Sequence, residues 1–262
     1  WMQTVRNFCL YRRRSQPQSF VPDALMFPTS GPQFTPYIFS EAEVAQLLSA
    51  THYLPHSQRY PLRAQTLRIA ILILYTTGLR RGELLRLKLS DFNLVESTLL
   101  IEASKFHKSR IVPISVSVAA ELKAYVRLRY KSRLAVKKTS PLIWNGRSGP
   151  TERPYTGVNL GTNGRALCAS LKILTRRGTT PRIHDLRHSF AANCLQRWYS
   201  AGEDVQSKLP FLSTYMGHVS IASTHYYLTF IEAIRSEASK RFHQNFGKII
   251  RTNFFNPQQI EE

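Results

Sequence analysis

A chain of 262 residues with 43% hydrophobic content can bury the core of one large domain, or of one domain plus a piece of another. Its 36 Lys and Arg against 16 Asp and Glu leave a net charge of +20, which suits a polyanionic partner, nucleic acid foremost; an anionic membrane surface and simple solubility are the competing readings. The longest apolar run, Ile69 to Tyr75, is too short to span a bilayer, no signal peptide is expected, and the scattered Cys9, Cys168 and Cys194 argue against a disulfide framework or a metal knuckle and for a reducing compartment.

In chain order, Val5, Phe8, Cys9 and Leu10 read as the end of an amphipathic helix, closed by the basic run Arg12-Arg13-Arg14. The chain opens on Trp1, which reads as the cut edge of something longer. Pro17, Pro22, Pro28, Pro32 and Pro36 mark an extended linker over 15–38. Ser40 with Glu43 three residues on forms a capping box, so a helix starts there. Residues 61–77 read as a helix apolar on all sides and therefore buried, broken by Gly78; a short helix follows from Arg80 to Leu87. Then Phe92–Leu94, Thr98–Ile101 and Ile111–Ile114 are β-type runs separated by polar turns, and they predict a small antiparallel sheet. Helical patterning resumes from Ser115 to about Lys131. A Gly- and Pro-containing loop is expected over 140–164, and further helices over 164–176, 185–200 and 220–240. The fold class is mainly α with one small antiparallel β-sheet.

Phosphodiester cleavage without a metal needs an oxygen nucleophile, cations on the non-bridging oxygens and a proton donor for the leaving oxygen. Arginine fits the cation role, since its fork grips phosphate bidentately and stays charged. Four stretches carry such residues. In Thr77-Gly78-Leu79-Arg80-Arg81-Gly82-Glu83, arginines stand where a helix begins, a position the dipole disfavours for cations; Glu83 lies three residues from Arg80 and can hold it, although a plain surface ion pair has the same spacing. Ser104-Lys105-Phe106-His107-Lys108-Ser109-Arg110 crowds cations onto a hairpin tip, where polar residues are ordinary. In His184-Asp185-Leu186-Arg187-His188 a helix places His184, Arg187 and His188 on one face. Zinc binding by His184 and His188 at i, i+4 is disfavoured, because the metalloprotease glutamate is absent and the surroundings are basic. Last come Tyr215-Met216-Gly217-His218 and His225-Tyr226-Tyr227, where a lone tyrosine pair in an apolar helix is more often core than catalytic.

Taken in order, these stretches resemble the tyrosine recombinase (phage-integrase-type) family. That family shows an arginine after Thr-Gly-Leu, a hairpin lysine, His-x-x-Arg, Gly-His and a tyrosine nine residues beyond that histidine. Here these fall on Arg80, Lys105, His184 with Arg187, His218 and Tyr227, and the nine-residue count selects Tyr227 over Tyr226. Leu212 to Ser220 is also typical of the family, and the resemblance spans about 38–240. It implies a catalytic domain over 38–262 with a C-terminal oligomerisation tail, preceded at 1–37 by the end of a core-binding domain and its linker.

The resemblance further implies a site-specific recombinase or integrase acting on double-stranded DNA through a 3′-phosphotyrosine, with no metal, ATP or other cofactor. Tyr227 is then the nucleophile, Arg80 and Arg187 stabilise the phosphate, and Lys105 rather than Lys108 protonates the 5′-oxygen. His184 assists proton transfer at the tyrosine, and His218 hydrogen-bonds the phosphate. Glu83 supports Arg80 and His188 is structural. Assembly on DNA as a homotetramer is expected, with the tail around Phe230, Ile231, Ile234, Phe242 and Phe246 docking on a neighbour or folding back, and a cytoplasmic, nucleoid-associated location in a bacterium. Rival readings are a type IB topoisomerase using the same chemistry and a non-catalytic DNA-binding regulator descended from an integrase.

Overall fold

The structure, a computed structural model, describes residues 2–23, 35–58, 60–102, 109–134, 136–144, 155–218, 224 and 226–229. The chain divides into two compact units, Trp1–Thr35 and Pro36–Glu262. In the first, helix α1 (Met2–Arg13) ends in two arginines, which suit the negative C-terminal end of a helix. Arg6 Nε donates to the Pro22 carbonyl at 3.0 Å, tying the following segment back to α1.

In the second unit, α2 (Glu41–Ala50) begins with the full capping box of Ser40 and Glu43. Helix α3 (Arg63–Thr77) is the central element, burying Leu67, Ile69, Ala70, Ile71, Ile73 and Leu74, so its sequence needs no polar face. It stops at Gly78, whose φ of 62° is left-handed and whose N–H closes on Leu74 O at 3.1 Å. The short α4 (Arg81–Arg86) follows. Strands β1 (Phe92–Asn93), β2 (Thr98–Ile101) and β3 (Arg110–Pro113) form an antiparallel sheet in the order β1-β2-β3, with Phe92 opposite Leu99 and Ile101 opposite Arg110. Helix α5 (Val116–Lys131) is capped by Ser115.

Two expectations are corrected, and a third falls mostly outside the described residues. Helix α6 runs from Gly157 to Ser170, capped by Thr156, so most of the described part of the expected 140–164 loop is helix. Its glycines mislead: a Cβ on Gly164 would stand 3.0 Å from Ile183 Cδ1, so the glycine serves a close approach rather than a turn. At the other end of that loop, Leu142, Ile143 and Trp144 are buried, and Leu142 N donates to Leu87 O at 2.7 Å. An additional helix, α8 (Val205–Met216), capped by Asp204, follows α7 (Asp185–Ser200) despite an internal Pro210. Of the expected 220–240 helix, Tyr226–Thr229 is a 3-10 turn, and most of the remainder lies outside the described residues.

The main core surrounds α3. A second cluster joins Ala191, Ala192 and Leu195 of α7 to Val205, Leu209, Leu212 and Met216 of α8 and to Tyr227. No described helix is long and apolar enough to cross a membrane.

Candidate active site

The site is built where three chain ends meet: the break after α3, the start of α7 and the end of α8. Helix α8 finishes in a Schellman motif. Gly217 is left-handed at φ 68°, its N–H bonds Thr214 O at 3.0 Å, and His218 N–H bonds Ser213 O at 2.8 Å. That closure still leaves the carbonyls of Tyr215, Met216 and Gly217 pointing outward at the negative end of the helix dipole.

Three arginines meet those carbonyls. Arg80 Nη2 donates to Gly217 O at 2.6 Å, Arg187 Nη2 to Met216 O at 3.1 Å, and Arg110 Nε to Tyr215 O at 2.9 Å. Arg187 also donates to Gly78 O, linking the α3 break to α7. Glu83, 2% exposed, sits behind Arg80 and Arg110. It accepts from Arg80 Nη1 at 2.9 Å and from the Arg80 backbone at 3.0 Å, and it takes both Nη atoms of Arg110, at 3.1 and 3.0 Å. Burial alone would raise its carboxyl; the hydrogen bonds from Arg110 and Arg80 and the charge of Arg110 outweigh burial and hold it at about 2. Burial, with Arg80 alongside, pushes the Arg187 guanidinium down to about 10, so it stays charged at neutral pH.

The tyrosine approaches from the other side. Tyr227, 3% exposed, packs in the α7–α8 cluster, and its Oη lies 3.1 Å from His188 Nδ1. The His218 ring stacks at 13° to the Tyr227 ring, centroids 6.2 Å apart, and its Nδ1 is 2.8 Å from Thr224 Oγ1. His184 is the residue that opens α7 rather than one inside it; its ring stands edge-on to His188, centroids 5.1 Å apart. The surroundings push all three imidazoles toward the neutral form. Burial first, then His184, Arg182 and Arg187, bring His188 down to about 3, while burial with Arg187 and Arg80 brings His218 down to about 4. Burial and Arg187 also lower His184. The Tyr227 phenol is raised by burial against the pull of Arg187.

The sequence from residue 38 to residue 231 matches the model of the phage integrase family. The chain belongs to that family. It is 35% identical over 247 residues to a putative integrase/recombinase, y4rB, of Sinorhizobium fredii, covering 92% of this chain and 76% of that one. It is 26% identical over 227 residues to the tyrosine recombinase XerD of Staphylococcus saprophyticus, covering 87% and 69%. Among solved structures, XerA recombinase shares the fold at a TM-score of 0.59 and 23% identity, over 93% of this chain and 74% of that one. XerH bound to its palindromic difH substrate after cleavage shares it at 0.64 and 22%, over 86% and 60%.

Within this phage integrase fold, Arg80, Glu83, His184, Arg187, His188, His218 and Tyr227 come together. Lys105 and Lys108 lie outside the described residues, as do His225 and the residues beyond Thr229. Two features escape a reading of the sequence. Arg110 appears there only as one of several hairpin cations, yet it is the bidentate partner of Glu83. His188, expected to be structural, is the histidine that meets the tyrosine hydroxyl. The available signal for Arg110 is its place directly before the β-type run Ile111–Ile114; the structure makes it the first residue of β3. Beside Arg80 opens a cavity of about 380 Å³ lined by Arg81, Arg165, Arg182, Ile183 and His184, with no acidic residue in its wall. Among the described residues no group of three or more His, Cys, Asp or Glu is placed to hold a metal.

Proposed function

We propose that this phage integrase family member cleaves and rejoins double-stranded DNA at a specific site through Tyr227. The phenolic oxygen attacks the scissile phosphorus, the bond to the 5′-oxygen breaks, and the DNA is left on the protein as a 3′-phosphotyrosine with a free 5′-hydroxyl. Rejoining is the reverse attack by a 5′-hydroxyl of another strand, so the phosphotyrosine conserves the bond. Arg80 and Arg187 bind the non-bridging oxygens as charge grows on them, and removal of such a donor typically costs about 10²–10³ in rate. His218 donates a hydrogen bond to the same phosphate. Lys105 protonates the departing 5′-oxygen, with more effect than Lys108. Glu83 keeps Arg80 aimed, and His184, whose ring stands edge-on to His188, assists proton transfer at the tyrosine.

The observation that carries this reading is the position of Tyr227. Its hydroxyl lies against His188, on the same helix as Arg187, while His218 stacks on its ring. Any buried tyrosine hydroxyl needs a polar partner; here the groups around it are the histidines and arginines that phosphoryl transfer to a phenolic oxygen would use. The net charge of +20 and the arginine-lined cavity support DNA as the partner. We further infer assembly as a homotetramer on DNA, since strand exchange pairs two cleaved duplexes, and a bacterial cytoplasm as the place of action.

The test is covalent trapping. The protein is incubated with nicked duplexes from its native locus, denatured, and examined for attached DNA. Adduct formation with Tyr226→Phe intact and Tyr227→Phe inactive is expected. Tight binding with no adduct supports the regulator reading, and supercoil relaxation without exchange products supports the topoisomerase reading.

A further inference from the structure

A phenol is a poor nucleophile at neutral pH, since its ordinary pKa is about 10. Some group has to take its proton as the oxygen–phosphorus bond forms. The group must meet the phenolic oxygen, be neutral beforehand and be able to hold a proton afterwards. His184 is a candidate by sequence position, but its ring lies against His188, and it is His188 Nδ1 that stands 3.1 Å from Tyr227 Oη. Resting on the phosphotyrosine reading above, we propose that His188 is a catalytic residue, the base that receives the Tyr227 proton.

Helix geometry fixes the arrangement. Arg187 and His188 are neighbours on the first turn of α7, so one turn sends the guanidinium toward the end of α8 and the imidazole toward the 3-10 turn that carries Tyr227. Burial shields the imidazole, and the groups facing it are His184, Arg182 and Arg187 from α7 and the segment before it, His218 from beyond α8, and the phenol itself. In the free protein these surroundings keep His188 unprotonated, the form able to accept. They also make it a weak base. An incoming phosphodiester supplies negative charge to Arg187 and Arg80, relieving part of that suppression, so the base gains strength when DNA is in place.

The step balances. The Tyr227 O–H bond breaks and its proton passes to His188 Nδ1; the oxygen–phosphorus bond forms; the bond from phosphorus to the 5′-oxygen breaks; and that oxygen takes a proton from the Lys105 ammonium. In rejoining, His188 returns the proton to the tyrosine.

The experiment follows single-turnover adduct formation by the full chain on two nicked duplexes, one with the natural 5′-oxygen at the scissile position and one with sulfur there. Sulfur departs as a thiolate and needs no proton donor, so a defect at the leaving group disappears with it and a defect at the nucleophile remains. His188→Asn keeps a hydrogen-bonding atom near the Nδ1 position but no base. It is expected to slow adduct formation by about 10²–10⁴ on both substrates, with DNA binding by fluorescence anisotropy unchanged. Its rate should rise about tenfold per pH unit above neutrality, as ionised phenol supplies the nucleophile, where the unaltered protein changes little. His184→Asn is expected to lack this pH signature. Should the Asn variant not fold, by thermal unfolding, His188→Gln carries the same comparison. A rate within a few-fold of the unaltered protein, or a defect erased by sulfur, overturns the assignment while leaving the phosphotyrosine reading intact. Absence of adduct from the unaltered protein counts against that reading itself.

Discussion

At the scale of single residues, the site rests on Glu83. Its carboxylate is buried, takes four hydrogen bonds and holds two arginines. Glu83→Ala removes the counter-charge of both guanidiniums; breaking a buried pair in this way costs about 3–5 kcal/mol. Urea unfolding should register that loss, and adduct formation should fall with it because Arg80 loses its support. Acid reports on the same residue. Its folded-state value of about 2 lies below the ordinary 4.5, so its contribution is complete above about pH 4.5 and disappears as pH falls through about 2. Glu83→Gln should therefore flatten the decline of stability across that window, measured by urea unfolding at stepped pH. The residues of the family pattern are legible in the sequence because motifs record chemistry at fixed spacing, as in His184-x-x-Arg187. Arg110 is not, because its partner Glu83 lies 27 positions away and only the return of β3 brings them together. The contact of His188 with Tyr227 is hidden for the same reason, across 39 positions.

At the scale of elements, the ends of helices matter more than their middles. The end of α8 presents three carbonyls to three arginines, and Gly217 makes that end possible. A Cβ there would meet Arg110 Nη1 at 2.7 Å, and its φ of 68° strains any other residue. Gly217→Ala should cost about 2 kcal/mol or more, from backbone strain and a displaced Arg110. Thermal unfolding checks this, and Gly178→Ala, also at positive φ (71°) but with nothing within 4 Å of its Cβ, separates strain from collision. Helices α2 and α5, with their serine caps, and α3, with its unbroken apolar run, are legible from residue order alone, since Ser40, Ser115 and Gly78 mark their edges. Helix α8 is not, because Pro210 with Ser207, Ser213 and Thr214 reads as a loop. Pro210 is accommodated in the first half of the helix, and Leu209, Leu212 and Met216 supply the buried face.

At the scale of the whole molecule, the excess of positive charge is concentrated to effect where Arg81, Arg165 and Arg182 flank Arg80. On the function proposed above, a DNA strand leaving the site would meet these cations at its backbone phosphates. Each contact releases counterions, so Arg81→Ala and Arg165→Ala should each lower the slope of log affinity against log salt by about 0.9. They should weaken binding to unrelated duplexes as much as to the native site, because phosphates carry no sequence information. Anisotropy titrations over a range of salt concentrations give the slope directly; an unchanged slope in both variants would remove the cavity from the DNA path.

The proposed reaction requires that Tyr227 become covalently joined to DNA. The most direct measurement is mass spectrometry of the peptide carrying DNA after trapping on a nicked duplex and denaturation. Covalent catalysis by Tyr227 predicts a 3′-phosphotyrosine on that residue, absent in Tyr227→Phe and retained in Tyr226→Phe. Attachment at Tyr226 instead, or tight binding with no covalent product in the unaltered protein, would contradict it.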